Sequence, residues 1–123
     1  MGAPANHGYI DFVGDEEYFW FIETLWNAAA SLPTSPVRLD DLPWREDSCL
    51  ILGDEPNWGA FAAHCARVRD ADLNYPIILS PMGDVMDGMH RIVRAFLEGR
   101  DSVPGVTLAE LPEPDRIRPR GNS

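Results

Sequence analysis

The chain of 123 residues contains no lysine, because all ten of its basic residues are arginine. This absence excludes a lysine on a phosphate, Schiff-base chemistry and a lysine general base. Cysteine is also scarce: Cys49 and Cys65 are too few for a disulfide framework, and such usage fits a reducing compartment. No run approaches the ~18 consecutive apolar residues of a membrane-spanning helix. We therefore expect a cytoplasmic protein without a membrane partner.

The chain also has few positively charged residues relative to acidic ones. Twenty acidic residues stand against ten basic ones, for a formal net charge of −10. Duplex DNA carries about one negative charge per 1.7 Å of axis and would repel such a chain. Three of the ten arginines, Arg116, Arg118 and Arg120, fall near the end of the sequence. We expect no nucleic-acid partner, and we interpret this basic segment as a flexible tail.

The length allows one sizeable core, and 45% hydrophobic with 24% charged residues is ordinary for a globular chain. Helix and strand signals are interspersed, which predicts an α+β fold. We divide the chain into a lead-in and amphipathic helix at 1–36, a core domain at 37–112, and a flexible arginine-containing tail at 113–123.

An aromatic segment dominates the N-terminal part. From Asp15, acidic residues followed by apolar positions at helical spacing predict a helix that ends before Pro33. Phe19, Trp20 and Phe21 widen its apolar surface. Such a surface is either buried between two layers or forms an interface. We expect a homodimer through this aromatic N-terminal helix.

A second helix is predicted after Asn57, whose side chain can cap it. Five residues share one stripe at helical spacing and are expected to face the core: Trp58, Phe61, Ala62, Cys65 and Val68. A short strand is expected before it, at 48–52. A zinc site from Cys49, His64, Cys65 and His90 matches no known ligand spacing, so we predict no metal centre.

The C-terminal half shows the clearest pattern. A strand at 77–80, a turn at 81–84 and a return strand at 85–87 predict a hairpin. A helix follows, with Ile92, Ala95 and Phe96 facing inward and Gly99 at its C-terminal end. A further strand is expected at 103–108.

The junction between that return strand and the helix is the best candidate for chemistry. Unpartnered N–H groups and the helix dipole attract an anion there, and Gly88 allows close approach to the backbone. Arg91 offers a planar fork for phosphate, and His90 can donate a hydrogen bond or transfer a proton. Asp87 can hold a hydroxyl, Mg²⁺ or the imidazole. The alternative is that Asp87 caps the helix while His90 and Arg91 are solvated.

The stretch YPIILSPMGDVMDGMHRIVRAFLEGRDSVPGVTL resembles the nucleotide-binding core of ParB partition proteins, sulfiredoxins and ParB-like free serine kinases. Residues 76–108 follow that superfamily's order of elements, and VRLDDL at 37–42 is similar to its opening strand. The resemblance implies a small mixed β-sheet packed with helices, here with an extra N-terminal helix. It also implies a nucleoside triphosphate or diphosphate as ligand, with Mg²⁺ as a further cofactor.

Matched position by position, the resemblance implies that Gly88, Met89, His90 and Arg91 contact the nucleotide. Asp87 and His90 would be the catalytic residues. Met89 stands where sulfiredoxins have their cysteine and where ParB proteins have the glutamate linked to CTP hydrolysis, which argues against peroxiredoxin repair. We therefore expect a stand-alone nucleotide-binding module. If it is an enzyme, we expect a phosphotransferase or a nucleotidase. The alternative is a non-catalytic interaction or dimerisation module.

Overall fold

The structure is a computed structural model that describes residues 8–45 and 57–119. Its strands are Gly8–Val13 (β1), Glu16–Phe21 (β2), Ser35–Arg38 (β3), Ile77–Leu79 (β4), Val85–Asp87 (β5), Ser102–Thr107 (β6) and Arg116–Pro119 (β7). Its helices are Ile22–Ala29 (α1), Trp58–Arg69 (α2) and Met89–Leu97 (α3), with a short 3-10 helix at Leu39–Asp41. This is the α+β class that the sequence predicts. Within the described ranges, no helix has the length and apolarity needed to cross a membrane.

The first sheet has the strand order β1-β2-β7, with both pairings antiparallel. β1 and β2 form a hairpin in which Val13 pairs with Glu16, so its loop is Gly14 and Asp15. Gly14 has a φ of 60°, a value that glycine adopts without strain. The predicted helix from Asp15 is therefore wrong over its first part. The helix begins only at Ile22, and β1 occupies part of the predicted irregular lead-in.

The aromatic residues of β2 alternate between the two faces of this sheet. Trp20 is only 1% exposed, and its Nε1 donates a hydrogen bond to the Pro112 carbonyl at 2.8 Å. It belongs to a hydrophobic core of Trp20, Ile22, Leu25, Ala29, Ile78, Met86, Val106 and Leu108. Phe19 and Phe21 lie on the opposite face, where their rings contact edge to face. The aromatic segment that the sequence predicts as a helical dimerisation surface is thus a β-strand, and its largest ring, that of Trp20, is buried.

Residues 116–119, expected in a flexible tail, form strand β7 against β2. Tyr18 pairs with Ile117, and Phe19 pairs with Arg116. Just before the strand, the Asp115 carboxylate accepts a hydrogen bond from the Phe21 N–H at 2.8 Å. The Arg116 guanidinium lies 5.1 Å from the centre of the Phe21 ring, within the range of a cation–π contact. The chain is therefore ordered through β7 by backbone pairing and by its arginine.

The second sheet has the strand order β3-β6-β4-β5. The described residues also group into two compact units. The first unit comprises 8–34, 78–87 and 106–119, and the second comprises 35–45, 57–77 and 88–105. β1, β2, α1 and β7 belong to the first unit, whereas β3, α2 and α3 belong to the second.

The predicted hairpin at 77–87 is present in β4 and β5, where Ile78 pairs with Asp87. The Ser80 hydroxyl accepts hydrogen bonds from the backbone N–H groups of Met82 and Asp84, at 3.2 and 3.0 Å. Gly83 takes a φ of 95° in the turn. Local turn chemistry thus explains why this segment was predictable from sequence.

Helix α2 shows both a confirmed and a wrong prediction. The Asn57 side chain accepts a hydrogen bond from the Ala60 N–H at 2.8 Å, so the predicted cap is confirmed. The predicted core stripe is confirmed only at Val68, which is buried; Trp58 is 84% exposed, and Phe61, Ala62 and Cys65 are also exposed. The covered residues of α2 follow a different side of the helix, at the i, i+4 positions Ala60, His64 and Val68.

Helix α3 follows the sequence prediction at two of three inward positions. Ile92 and Ala95 are fully buried, but Phe96 is 45% exposed, so that prediction is wrong. Its ring lies edge to face against Trp44 at 5.3 Å instead. Gly99 follows the helix with a φ of 76° and donates to the Phe96 carbonyl, which confirms the predicted C-terminal end. The strand expected at 48–52 lies outside the described residues.

Candidate functional site

Gly88 forms the junction between β5 and α3. Its φ of 113° lies in the left-handed region, and its carbonyl accepts the first helical hydrogen bond, from the Ile92 N–H at 3.1 Å. A Cβ at this position would lie 2.5 Å from Ile77 Cγ2 and 2.9 Å from Ile77 Cβ. Both the backbone angle and the neighbouring side chain therefore require glycine.

Arg91 lies beside this glycine in the first turn of α3. The side chain is half-buried, and its Nη2 donates a hydrogen bond to the Pro76 carbonyl at 3.3 Å. The same nitrogen lies 3.1 Å from the position of a Cβ on Gly88. The guanidinium is thus held along the glycine backbone at the start of the helix. A carboxylate or phosphate at this point would meet both the fork and the positive end of the helix dipole.

His90 points toward α2. Its Nε2 lies 3.2 Å from Nδ1 of His64, and the ring centres are 4.8 Å apart. Arg67 Nε donates a longer hydrogen bond to the same His90 Nε2, at 3.5 Å. The imidazole is therefore held by two residues of the neighbouring helix, which leaves it half-buried.

The sequence prediction missed His64 and Arg67 as site residues. They lie three positions apart on α2, and this spacing alone predicts that they share one side of the helix. What the sequence could not provide was the pairing of this side with α3, which joins positions 26 residues apart. Periodicity reports which residues of a helix share a face and carries no information about which element that face meets.

The electrostatics of the cluster follow from its composition. Burial disfavours a charged imidazole, and the Arg67 guanidinium repels a second positive charge, so the pKa of His64 is lowered from its ordinary value. At neutral pH His64 is therefore neutral beside a permanent cation. A cluster of this kind can donate hydrogen bonds to an anion and can still accept a proton.

Asp87, the last residue of β5, lies in the first unit. Its Oδ2 accepts a hydrogen bond from Nε1 of Trp26 at 3.0 Å. Trp26, on α1, therefore orients this carboxylate, a role that the sequence analysis did not predict. Met89 begins α3 and is half-buried.

A cavity of about 400 Å³ in the second unit has Arg94, Glu98, Arg100 and Asp70 among its lining residues. Glu98 accepts hydrogen bonds from Arg94 at 2.8 Å and from Arg100 at 2.9 Å. These two contacts stabilise the carboxylate and lower the pKa of Glu98. Because its charges are already matched, we assign this cavity a structural role.

Metal ligation has little support among the side chains that the structure places. Residues 8–45 and 57–119 contain no group of three or more histidine, cysteine, aspartate or glutamate side chains able to hold a metal ion. Cys65 lies exposed on α2, and Cys49 lies outside the described residues. Of the zinc candidates considered from the sequence, only His64 and His90 are seen to meet.

Comparison with known proteins does not identify a family. No family model, curated protein or solved structure matches this chain. The likeness to the ParB/sulfiredoxin-like superfamily therefore rests on the sequence pattern of residues 76–108.

Proposed function

We propose that the chain is a ParB/sulfiredoxin-like module that binds a nucleotide, with the phosphates at the start of α3. The observation that supports this most is Gly88, where a left-handed backbone without room for a Cβ opens a nine-residue helix. The first N–H groups of a helix have no partner within the helix and face the positive end of its dipole. Arg91 adds a guanidinium at the same place.

Several groups at the start of α3 contribute to binding. The backbone N–H groups of Met89 and His90 and the Arg91 fork bind phosphate oxygens, while Gly88 allows the ligand to approach. The ligand is a nucleoside triphosphate or diphosphate, and Mg²⁺ neutralises part of its charge. Turnover forms the second part of the proposal. Asp87 and His90 would assist phosphoryl transfer or hydrolysis, which depends mainly on positioning and charge stabilisation.

A thermal-shift titration tests the binding step. We expect ATP, ADP, CTP or GTP, with and without Mg²⁺, to raise the unfolding midpoint of the wild type. A ligand at a hundred times its dissociation constant stabilises the folded state by about 2.7 kcal/mol. The shift should be lost in Arg91→Ala, which removes the guanidinium fork, and reduced in His90→Ala, which removes an imidazole able to donate a hydrogen bond to phosphate.

Arg38→Ala is the matched control, since Arg38 is exposed on β3 and pairs only loosely with Asp40 at 3.8 Å. It should bind like the wild type. Release of phosphate from the bound nucleotide is then measured. If the wild type releases phosphate and Asp87→Asn does not, the protein also turns the nucleotide over. If no nucleotide shifts the midpoint of the wild type, the proposed function is wrong.

The second candidate is a non-catalytic interaction or dimerisation module, favoured by the outer face of the first sheet. Phe12 on β1 is 49% exposed, and Ile10 on the same face is similarly exposed. Arg116 and Arg118 of β7 share this face, because they pair with Phe19 and Glu17. An exposed apolar surface beside cations, in an otherwise acidic chain, is a reasonable contact for a second copy.

Sedimentation velocity over a range of concentrations tests this candidate. We expect Phe12→Ser to weaken self-association at least tenfold, about 1.4 kcal/mol, because it removes apolar area from the contact. Trp58→Ser removes a still more exposed ring, from α2, and should leave self-association unchanged. A wild type that remains monomeric at every concentration would reject the dimer.

A further inference from the structure

We propose that His64 and His90 act together as a proton-accepting anion site, so that phosphate binding takes up a proton from solution. This inference rests on the proposed function. It adds two residues of α2, His64 and Arg67, and a dependence of affinity on pH.

The hydrogen-bond geometry indicates where the proton goes. Arg67 Nε carries a hydrogen and lies 3.5 Å from His90 Nε2, which must therefore act as an acceptor. His64 Nδ1, 3.2 Å from the same atom, is then the donor of the histidine–histidine contact. This leaves Nε2 of His64 as the position that receives the next proton. Protonation there creates an imidazolium without breaking either hydrogen bond.

The charges around the pair favour an anion over a metal cation. Arg67 contacts the pair from α2, and Arg91 follows His90 directly on α3. A metal ion would be repelled by these permanent cations. It would also lack a third ligand among the residues that the structure describes. A phosphate group matches the cluster because charge-assisted hydrogen bonds from arginine and imidazolium are strong.

The direction of the pH dependence follows from linkage. Burial and Arg67 keep the pKa of His64 low in the empty site, so His64 is neutral at pH 7 to 8. A bound phosphate dianion offsets both effects and raises that pKa. Affinity should therefore increase as pH falls through the raised pKa of the bound state, and level off below the pKa of the empty site.

Isothermal titration calorimetry in buffers of different ionisation heat measures the proton uptake directly. The probes are the nucleotide with the largest thermal shift and inorganic pyrophosphate, which has no base. We expect the wild type to take up a measurable fraction of a proton between pH 6 and pH 7, and His64→Gln to take up almost none. From pH 8 to pH 6 the ratio of wild-type to variant affinity should rise severalfold, up to a limit of about tenfold at lower pH if the pKa of His64 moves by about one unit. Protonation of the probe is common to both proteins and cancels in this ratio.

Two further variants make the test specific. His7→Gln changes the third histidine of the chain and should keep the wild-type uptake. Arg67→Gln removes the fixed charge but keeps both imidazoles. It should weaken binding at every pH and raise the pKa of His64 in the ligand-free protein, followed by NMR of the histidine ring carbons. Circular dichroism confirms that each variant is folded.

The outcomes separate the inference from the proposed function. Binding without proton uptake, with the same pH profile in His64→Gln, would overturn the inference and leave nucleotide binding intact. Absence of any binding would overturn both. Stoichiometric Zn²⁺ binding that His64→Gln abolishes would show that the pair is a cation site and would also overturn the inference.

Discussion

Replacing Trp20 by alanine is expected to lower the free energy of unfolding by about 3–5 kcal/mol, because truncating a buried aromatic side chain leaves a cavity that the surroundings fill only partly. Trp20 is 1% exposed and is flanked by the rings of Tyr9 and Tyr18, with ring centres 6.1 and 6.2 Å away. The substitution also leaves the Pro112 carbonyl without its hydrogen bond from the indole. Urea denaturation followed by circular dichroism measures the loss.

Trp58→Ala provides the matched control, since it removes the same side chain from an 84% exposed position. Its effect should stay within about 0.5 kcal/mol, as is usual for surface substitutions. Comparable losses in the two variants would contradict the assignment of Trp20 to the core. A small loss in Trp20→Ala together with a change in oligomeric state would instead support the aromatic helix surface predicted from sequence.

Replacing Gly88 by alanine is expected to destabilise the protein by about 2–5 kcal/mol. A left-handed backbone costs a residue with a Cβ about 1–2 kcal/mol, and overpacking adds about 1–3 kcal/mol. The overpacking arises because the new methyl group would lie 2.5 Å from Cγ2 of Ile77, a fully buried side chain. Thermal and urea unfolding of the variant give the magnitude.

Gly99→Ala separates the two contributions. Gly99 also has a positive φ, of 76°, but a Cβ there would meet no atom within 4 Å. The free energy of unfolding of Gly99→Ala should therefore fall only by the backbone cost of about 1–2 kcal/mol. If both glycine variants lose the same amount, Ile77 does not restrict the Gly88 junction, and the close packing described for the candidate site is incorrect.

The C-terminal half could be predicted because its signals are local. Proline and glycine mark the turn between β4 and β5, and Gly99 ends α3 in the left-handed conformation that its type favours. The junction from Asp87 to Arg91 was identified as the candidate site for the same reason. Each of these features depends on a residue and its immediate neighbours in the chain.

The segment around β2 was mispredicted because two periodicities compete there. Tyr18 lies at helical spacing from Ile22 and Leu25, which favoured one continuous helix. The run of aromatic residues has a high strand propensity, and Gly14-Asp15 between two apolar runs is a typical two-residue hairpin loop. Tertiary packing decides between the two, since β2 places Trp20 in a core with residues from distant parts of the chain.

The candidate site illustrates the same limit. His64 was considered only as an improbable zinc ligand, and the stripe assigned to the core was the one containing Cys65 and Phe61. The covered stripe of α2 instead contains Ala60, His64 and Val68. Sequence alone offers two plausible faces of this helix, and only the position of the other helix selects between them.

The discontinuous composition of the first unit has a consequence for how the protein folds during synthesis. Trp20 hydrogen-bonds to Pro112, 92 residues later in the chain, and β2 gains its second neighbour only when β7 has been made. Contacts between such distant residues carry a large loop-closure entropy and slow folding. The β1–β2 hairpin can form early, but its apolar inner face stays uncovered until the core residues as far as Leu108 and Pro112 have been synthesised. This interval is when the nascent chain is most exposed to aggregation and to capture by chaperones.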